Sequence, residues 1–238
     1  MFREWEELPE YMKTELVHPY YEKLSKKKKS LYIKRLFDLS AAVGMLVILF
    51  PVCLVISILI AADSEGGIFF CQERVTQYGK KFWIIKFRTM AENTGKLGSQ
   101  VTVKNDSRVT KVGRVLRKYR LDELPQLINI ILGDMSFVGP RPEVPCFVKE
   151  YTPEMFATLL LPAGVTSEAS ICYKDEERFL NSADNTEEIY IHQILPDKMA
   201  YNLKSIERFS IIRELGTMVK TVLAVVGNGL KKGTARLG

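Results

Sequence analysis

The sequence predicts an α+β protein: a helix-rich domain with a small β-hairpin, joined to one N-terminal membrane helix broken at Pro51. Three observations predict it. Residues 39–62 read LSAAVGMLVILFPVCLVISILIAA without a single charged side chain. Two aromatic and β-branched runs, within residues 68–90, flank a glycine-containing turn. Residues 109–119 and 206–227 place apolar side chains at helical spacing.

The apolar run is long enough to cross a bilayer, for which about twenty residues suffice. It begins too far along the chain, and lacks the small-residue cleavage site, to be a secretory signal. Pro51 sits at its middle, where a proline removes one backbone donor and crowds the preceding turn, so a kink is expected. Lys26, Lys27, Lys28, Lys29, Lys34 and Arg35 precede the run; Asp63 and Glu65 follow it, and basic residues return from Arg74. A basic flank favours the cytosolic side. This fits either a kinked span or a hairpin that returns both flanks to one side. The later segments look built for a phosphorylated metabolite, which favours the hairpin.

The formal charge of +6 is distributed in clusters, which suits anionic partners such as lipid headgroups or phosphorylated substrates. No nucleic-acid-binding module is recognisable. Cys53, Cys71, Cys146 and Cys172 form no CxxC pair and the only histidines are His18 and His192, so neither a zinc site nor a disulfide framework is expected. The free thiols fit a reducing compartment.

In the second run of the hairpin, Lys86 and Arg88 alternate with Ile85 and Phe87, which puts both cations on one face. Asn105-Asp106-Ser107 offers a cap for a helix from Arg108, with Val109, Val112, Val115, Leu116 and Tyr119 as its apolar stripe and a densely basic opposite face. Asp122 and Glu123 then stand before Pro125 at the start of LPQLINIILG, with Gly133 as the stop. The helix dipole and Arg117 are expected to hold Asp122 ionised. Read alone, the acidic pair is equally a helix cap. Pro140 and Pro142 fix the backbone around Arg141, a rigid presentation that suits phosphate recognition as well as a plain turn.

Taken together, KRLFD at 34–38, the apolar run with its proline, QERV at 72–75, KFRTM at 86–90, RLDELPQL at 120–127 and GDMSFVGPRPE at 133–143 resemble the bacterial sugar transferases known as monotopic phosphoglycosyl transferases. The resemblance implies a basic juxtamembrane segment at 1–34, a re-entrant membrane helix at 35–63, and a catalytic domain at 64–238 on the cytosolic face of the bacterial cytoplasmic membrane. It implies that a sugar 1-phosphate moves from a UDP-sugar to undecaprenyl (polyprenyl) phosphate, releasing UMP, at the first membrane step of surface glycan synthesis. In that reading Asp122 is the nucleophile that carries the phosphosugar. Glu123 completes the dyad, both carboxylates hold Mg2+, and Lys86, Arg88, Arg117 and Arg141 bind substrate. The implied partners are the UDP-sugar donor, the lipid acceptor and inner-membrane lipids, without nucleic acid; a homodimer stays open.

Residues 160–170, LLPAGVTSEAS, depart from the family pattern: Leu161 stands where many members have a cation, and the following glutamine is missing. That leaves the sugar open. Two other readings compete, a glycosyltransferase or phosphatase with an acidic pair, and a non-catalytic basic adaptor at the membrane surface. Residues 5–21 have no functional account in the sequence.

Overall fold

A computed structural model describes residues 2–91, 108–173 and 186–233. After short helical turns at Trp5–Glu7 and Glu10–Met12 come α1 (His18–Ser25) and the long α2 (Lys28–Asp63). A hairpin of β1 (Phe69–Val75) and β2 (Lys81–Phe87) follows, antiparallel with Phe69 opposite Phe87 and Val75 opposite Lys81. Next are α3 (Lys111–Lys118), α4 (Gln126–Leu132), β3 (Met135–Val138), α5 (Pro145–Val148), β4 (Ala163–Thr166) and α6 (Glu168–Cys172). The chain ends in α7 (Thr186–Ile189), a π turn at Tyr190–Ile194, α8 (Leu195–Glu207) and α9 (Ile211–Gly233). The helix-rich α+β expectation holds. A second sheet, β3 parallel to β4, was not foreseen; neither four-residue strand is long enough to show a period.

The 36 residues of α2 make a helix about 54 Å long at 1.5 Å per residue. Pro51 lies inside it, and helical backbone continues on both sides. Along its middle only one stripe is covered: Leu46 and Leu49 pack against the cluster of Phe82, Ile84 and Leu127, while Val47 is 71% exposed and Ile48 75%. A core helix would bury such residues, so that reading is excluded; the helix is long and apolar enough to cross a membrane.

Both ends of α2, by contrast, are fastened to the rest of the chain. Near the start, Lys34 Nζ donates to the Val138 carbonyl at 3.1 Å and pairs with Glu214 at 2.7 Å and Asp38 at 3.5 Å. Asp38 accepts from Ser136 Oγ at 2.7 Å. Arg35 donates to the carbonyls of Ile130 and Ile131, satisfying the last turn of α4, which stops at Gly133 with φ 91° as its sequence predicts. At the far end, Ile56 and Ile60 pack with Phe87 and Leu116, and Asp63 Oδ2 accepts from the Val112 amide at 2.9 Å. Arg88 secures the exit, its guanidinium donating to the carbonyls of Ser64 at 2.6 Å and Glu65 at 2.7 Å.

The proposed cap at residues 105–107 lies outside the described residues, and α3 begins later than expected. Thr110 caps it, its Oγ1 accepting from the Gly113 amide at 3.0 Å. Gly113 lets α3 approach the end of the hairpin: a Cβ there would lie 2.2 Å from the Thr89 carbonyl oxygen. The buried stripe is Gly113 and Leu116 with Val112 beside them, and Val115 faces outward because α3 leans on this narrow line.

Residues 5–24 belong to the packing. Leu8, Met12, Val17, Tyr21 and Leu24 are buried in one cluster with Phe147, Leu160, Tyr190 and Met199. The amphipathic C-terminal helix divides at Phe209, which is buried, and α9 then turns Ile212, Val219 and Val222 outward.

Where α9 meets α2, burial pushes the Glu214 carboxyl up to about 7, with Asp38 adding to the effect and Lys34 opposing it. The unfolded chain releases this proton near 4.5, so between pH 4.5 and 7 only the folded state keeps it, and stability falls as pH rises through that window. Thermal unfolding of Glu214→Gln against the native chain should show the variant gaining up to about 3 kcal/mol in relative stability from about pH 4.5 to 8. A difference that does not change with pH would contradict this.

Candidate active site

Between α3 and α4 the chain makes a tight 3-10 turn, Leu121–Glu123, entered through Arg120 in a left-handed conformation at φ 57°. A side chain with a Cβ occupies that region at a cost of order 1 kcal/mol, so the surrounding packing must enforce it. The turn buries both acids, each only 8% exposed. The capping reading of Asp122 fails here. Pro125, without a side-chain bond, precedes α4, and among the described residues Asp122 Oδ1 is buried with no hydrogen-bond partner.

Glu123 is the opposite case. Its Oε1 accepts from Arg141 Nη2 at 2.9 Å, Arg120 Nη1 at 3.2 Å and Lys86 Nζ at 3.3 Å. Burial alone would raise its pKa, but Arg141, Lys86 and Arg120 outweigh it and hold this carboxyl far below the usual range. Burial pulls Lys86 down, and Glu123 restores part of its affinity for the proton.

Asp122 moves the other way. Burial, then the Glu123 charge, raises it, and Lys86, Arg120 and Arg117 recover only part of the shift. The expectation that a helix end and Arg117 hold it ionised is thereby corrected in direction: desolvation outweighs both. Arg117 is near enough to act on Asp122, but its Nε donates to Thr89 Oγ1 at 2.9 Å.

The structure thus gathers Asp122, Glu123, Lys86, Arg117 and Arg141 and leaves Arg88 out. Alternation brought Lys86 to the site; Arg88 lies one residue past the end of β2 and serves the exit of α2. Arg120 was missed, because nothing in its spacing announces that a left-handed turn sends its guanidinium to Glu123. The support of Arg141 was also missed. Arg74 donates to the Pro142 carbonyl at 3.2 Å, and buried Glu143 accepts from Tyr190 Oη at 2.8 Å and Lys198 Nζ at 3.3 Å. The Pro-Arg-Pro segment is therefore clamped to β1 and α8, about fifty residues away in sequence.

Behind the site, Asn129 is saturated. It donates to the Trp83 carbonyl at 2.8 Å and accepts from the Ile85 amide at 3.0 Å, locking α4 to β2 and fixing Lys86 relative to Glu123. The departure at residues 160–170 is structural in part. Leu161 is buried in the core, and a Cβ on Gly164 would lie 2.2 Å from the Gly139 amide nitrogen, so that glycine is needed beside β3.

The chain belongs to the bacterial sugar transferase family, which matches residues 29–228. Among its relatives is the UDP-N-acetylgalactosamine-undecaprenyl-phosphate N-acetylgalactosaminephosphotransferase of Aeromonas hydrophila. It is 34% identical over 199 residues, which are 82% of this chain and 44% of that protein. The exopolysaccharide production protein ExoY of Rhizobium meliloti (strain 1021) is 31% identical over 207 residues, 81% of this chain and 84% of that one. The undecaprenyl-phosphate glucose phosphotransferase of Komagataeibacter xylinus is 42% identical over 113 residues, 47% of this chain and 21% of that one. The chain therefore spans less than half of the Aeromonas relative.

A carboxylate oxygen sealed away without a partner costs stability. Asp122→Asn should consequently unfold at the same temperature as the native chain or higher near pH 7. A loss of more than about 1 kcal/mol would mean that the carboxylate carries a structural bond.

Proposed function

We propose that the chain transfers a sugar 1-phosphate from a UDP-sugar to undecaprenyl phosphate at the cytosolic face of the bacterial cytoplasmic membrane, opening the synthesis of a surface glycan. The observation that carries this reading is the contrast within the acidic pair. Glu123 Oε1 is taken by cations, while Asp122, one residue away, keeps a buried oxygen without a partner among the described residues. A carboxylate so placed is kept for chemistry. Family membership and relatives named as undecaprenyl-phosphate sugar phosphotransferases support the reaction class.

In the first step an Asp122 oxygen attacks the β-phosphorus of the donor. The new O–P bond forms as the bond from that phosphorus to the bridging oxygen breaks, and the electron pair leaves with UMP. In the second step a lipid phosphate oxygen attacks the same phosphorus and returns Asp122 as a carboxylate, giving the lipid diphosphate sugar. Lys86, Arg117, Arg120 and Arg141 all act on the two acids, an excess of cations suited to a diphosphate. Fixed in place by the Asn129 lock and the Glu143 clamp, they need little rearrangement as charge develops.

Mg2+ fits the site in one particular way. Among the described residues no group of three His, Cys, Asp or Glu side chains gathers as ligands, and Glu123 Oε1 is already shared by three cations. Asp122 together with the donor phosphates would hold the ion, the usual arrangement being one or two carboxylates plus substrate phosphates. When bound it supplies charge neutralisation at the phosphoryl oxygens.

The fastening of both ends of α2 to one set of elements, with an apolar face left exposed between them, supports the re-entrant placement. The lipid phosphate then meets Asp122 near the membrane surface, where water is scarce. A basic adaptor would need exposed cations and no sealed acid, so Asp122 counts against it.

Nucleotide analysis tests the reaction. The full chain in lipid vesicles with Mg2+ and undecaprenyl phosphate is offered UDP-N-acetylgalactosamine, UDP-glucose and UDP-galactose. UMP should appear in step with lipid-linked sugar, and Asp122→Asn should lower it on the order of 1000-fold or more. UDP as the product would identify a glycosyltransferase instead.

A further inference from the structure

Gln126 opens α4 and is 1% exposed, yet among the described residues neither its Nε2 nor its Oε1 has a hydrogen-bond partner. A buried primary amide is rarely left so. Asn129 on the same helix shows that an amide can be satisfied there, with both ends bonded to β2. The unused atoms of Gln126 therefore call for a partner of their own.

Its place in the chain names one. Gln126 follows Asp122 by four residues and Glu123 by three. The backbone between them is wound continuously, with Leu124 N donating to the Leu121 carbonyl at 3.3 Å, Leu127 N to Leu124 at 3.1 Å and Ile128 N to Pro125 at 3.0 Å. Gln126 therefore lies about one turn along the same winding from the two acids. Glu123 Oε1 is already surrounded by cations, whereas Asp122 Oδ1, also buried and without a partner among the described residues, is an acceptor in want of a donor.

We propose that Gln126 is a positioning residue for Asp122, its Nε2–H donating to Oδ1 in the substrate-bound state so that Oδ2 is presented to phosphorus. This rests on the reading of Asp122 as nucleophile. A neutral donor suits the task, because a lysine or arginine there would form a lasting ion pair and blunt the nucleophile. One fixed carboxylate oxygen also limits rotation of the other away from the line of attack.

The test measures the rate at which the full chain, with Mg2+ and UDP-sugar but no lipid acceptor, gains the mass of one sugar phosphate. UDP-N-acetylgalactosamine, UDP-glucose and UDP-galactose serve as probes. Gln126→Met removes both amide atoms at similar volume. It should slow mass gain on the order of 100-fold, leave the donor concentration for half-maximal rate unchanged, and keep or raise the unfolding temperature. Gln126→Glu should be as slow near pH 8 and recover relative to native as pH falls toward 5, because the protonated carboxyl regains one O–H donor. Native rates in Gln126→Met, or a Gln126→Glu to native ratio that ignores pH, overturn the positioning role while leaving the Asp122 mechanism intact. A native chain that gains no mass with any donor overturns the Asp122 reading, and this proposal with it.

Discussion

The constraint on which the structure turns is the burial of two adjacent carboxylates in a turn too tight for both to be solvated. Burial disfavours their charged forms, and the cations available cannot serve both equally. The fold resolves the conflict unequally: Glu123 receives Arg141, Arg120 and Lys86, and among the described residues Asp122 keeps an oxygen without a hydrogen bond. One acid thereby becomes the fixed counter-charge that organises the basic cluster, and the other stays reactive. Left-handed Arg120 is part of the same arrangement, since the strain in its backbone sends its guanidinium back to Glu123.

The rest of the molecule can be understood as support for that turn. Asn129 fixes α4 against β2; Tyr190 and Lys198 fix Glu143 and, through it, the segment bearing Arg141. The N-terminal residues outside the family match reinforce the same side of the molecule, because Met12 and Leu24 share a cluster with Phe147 and Tyr190. The fastening of α2 at Lys34 and at Asp63 brings an exposed apolar helix to the same domain that carries the acids.

Much of this was legible in the sequence where the signal is local. The uncharged run, the alternation of the hairpin, the glycine that stops α4 and the neighbouring acids are all short-range patterns, and each appears where it was expected. What escaped depends on contacts between distant segments. The parallel pairing of β3 with β4 joins short strands that have no period to read. Arg88 shares the alternation of Lys86 but lies beyond the strand, where the exit of α2 captures it. The direction of the Asp122 shift was not legible because dipole and neighbouring charge can be guessed from order along the chain, whereas burial cannot. The helix expected from Arg108 starts at Lys111, capped by Thr110, where Gly113 can approach Thr89.

The central claim is that phosphorus becomes bonded to Asp122 itself. An acyl phosphate reacts with hydroxylamine to leave a hydroxamate on the side chain that carried it, and that mark survives proteolysis. The most direct measurement is therefore peptide mapping by mass spectrometry after the native chain, loaded with donor in the absence of lipid acceptor, is treated with hydroxylamine. The account predicts a donor-dependent hydroxamate on Asp122. A mark on Glu123, or on any other residue, would contradict it.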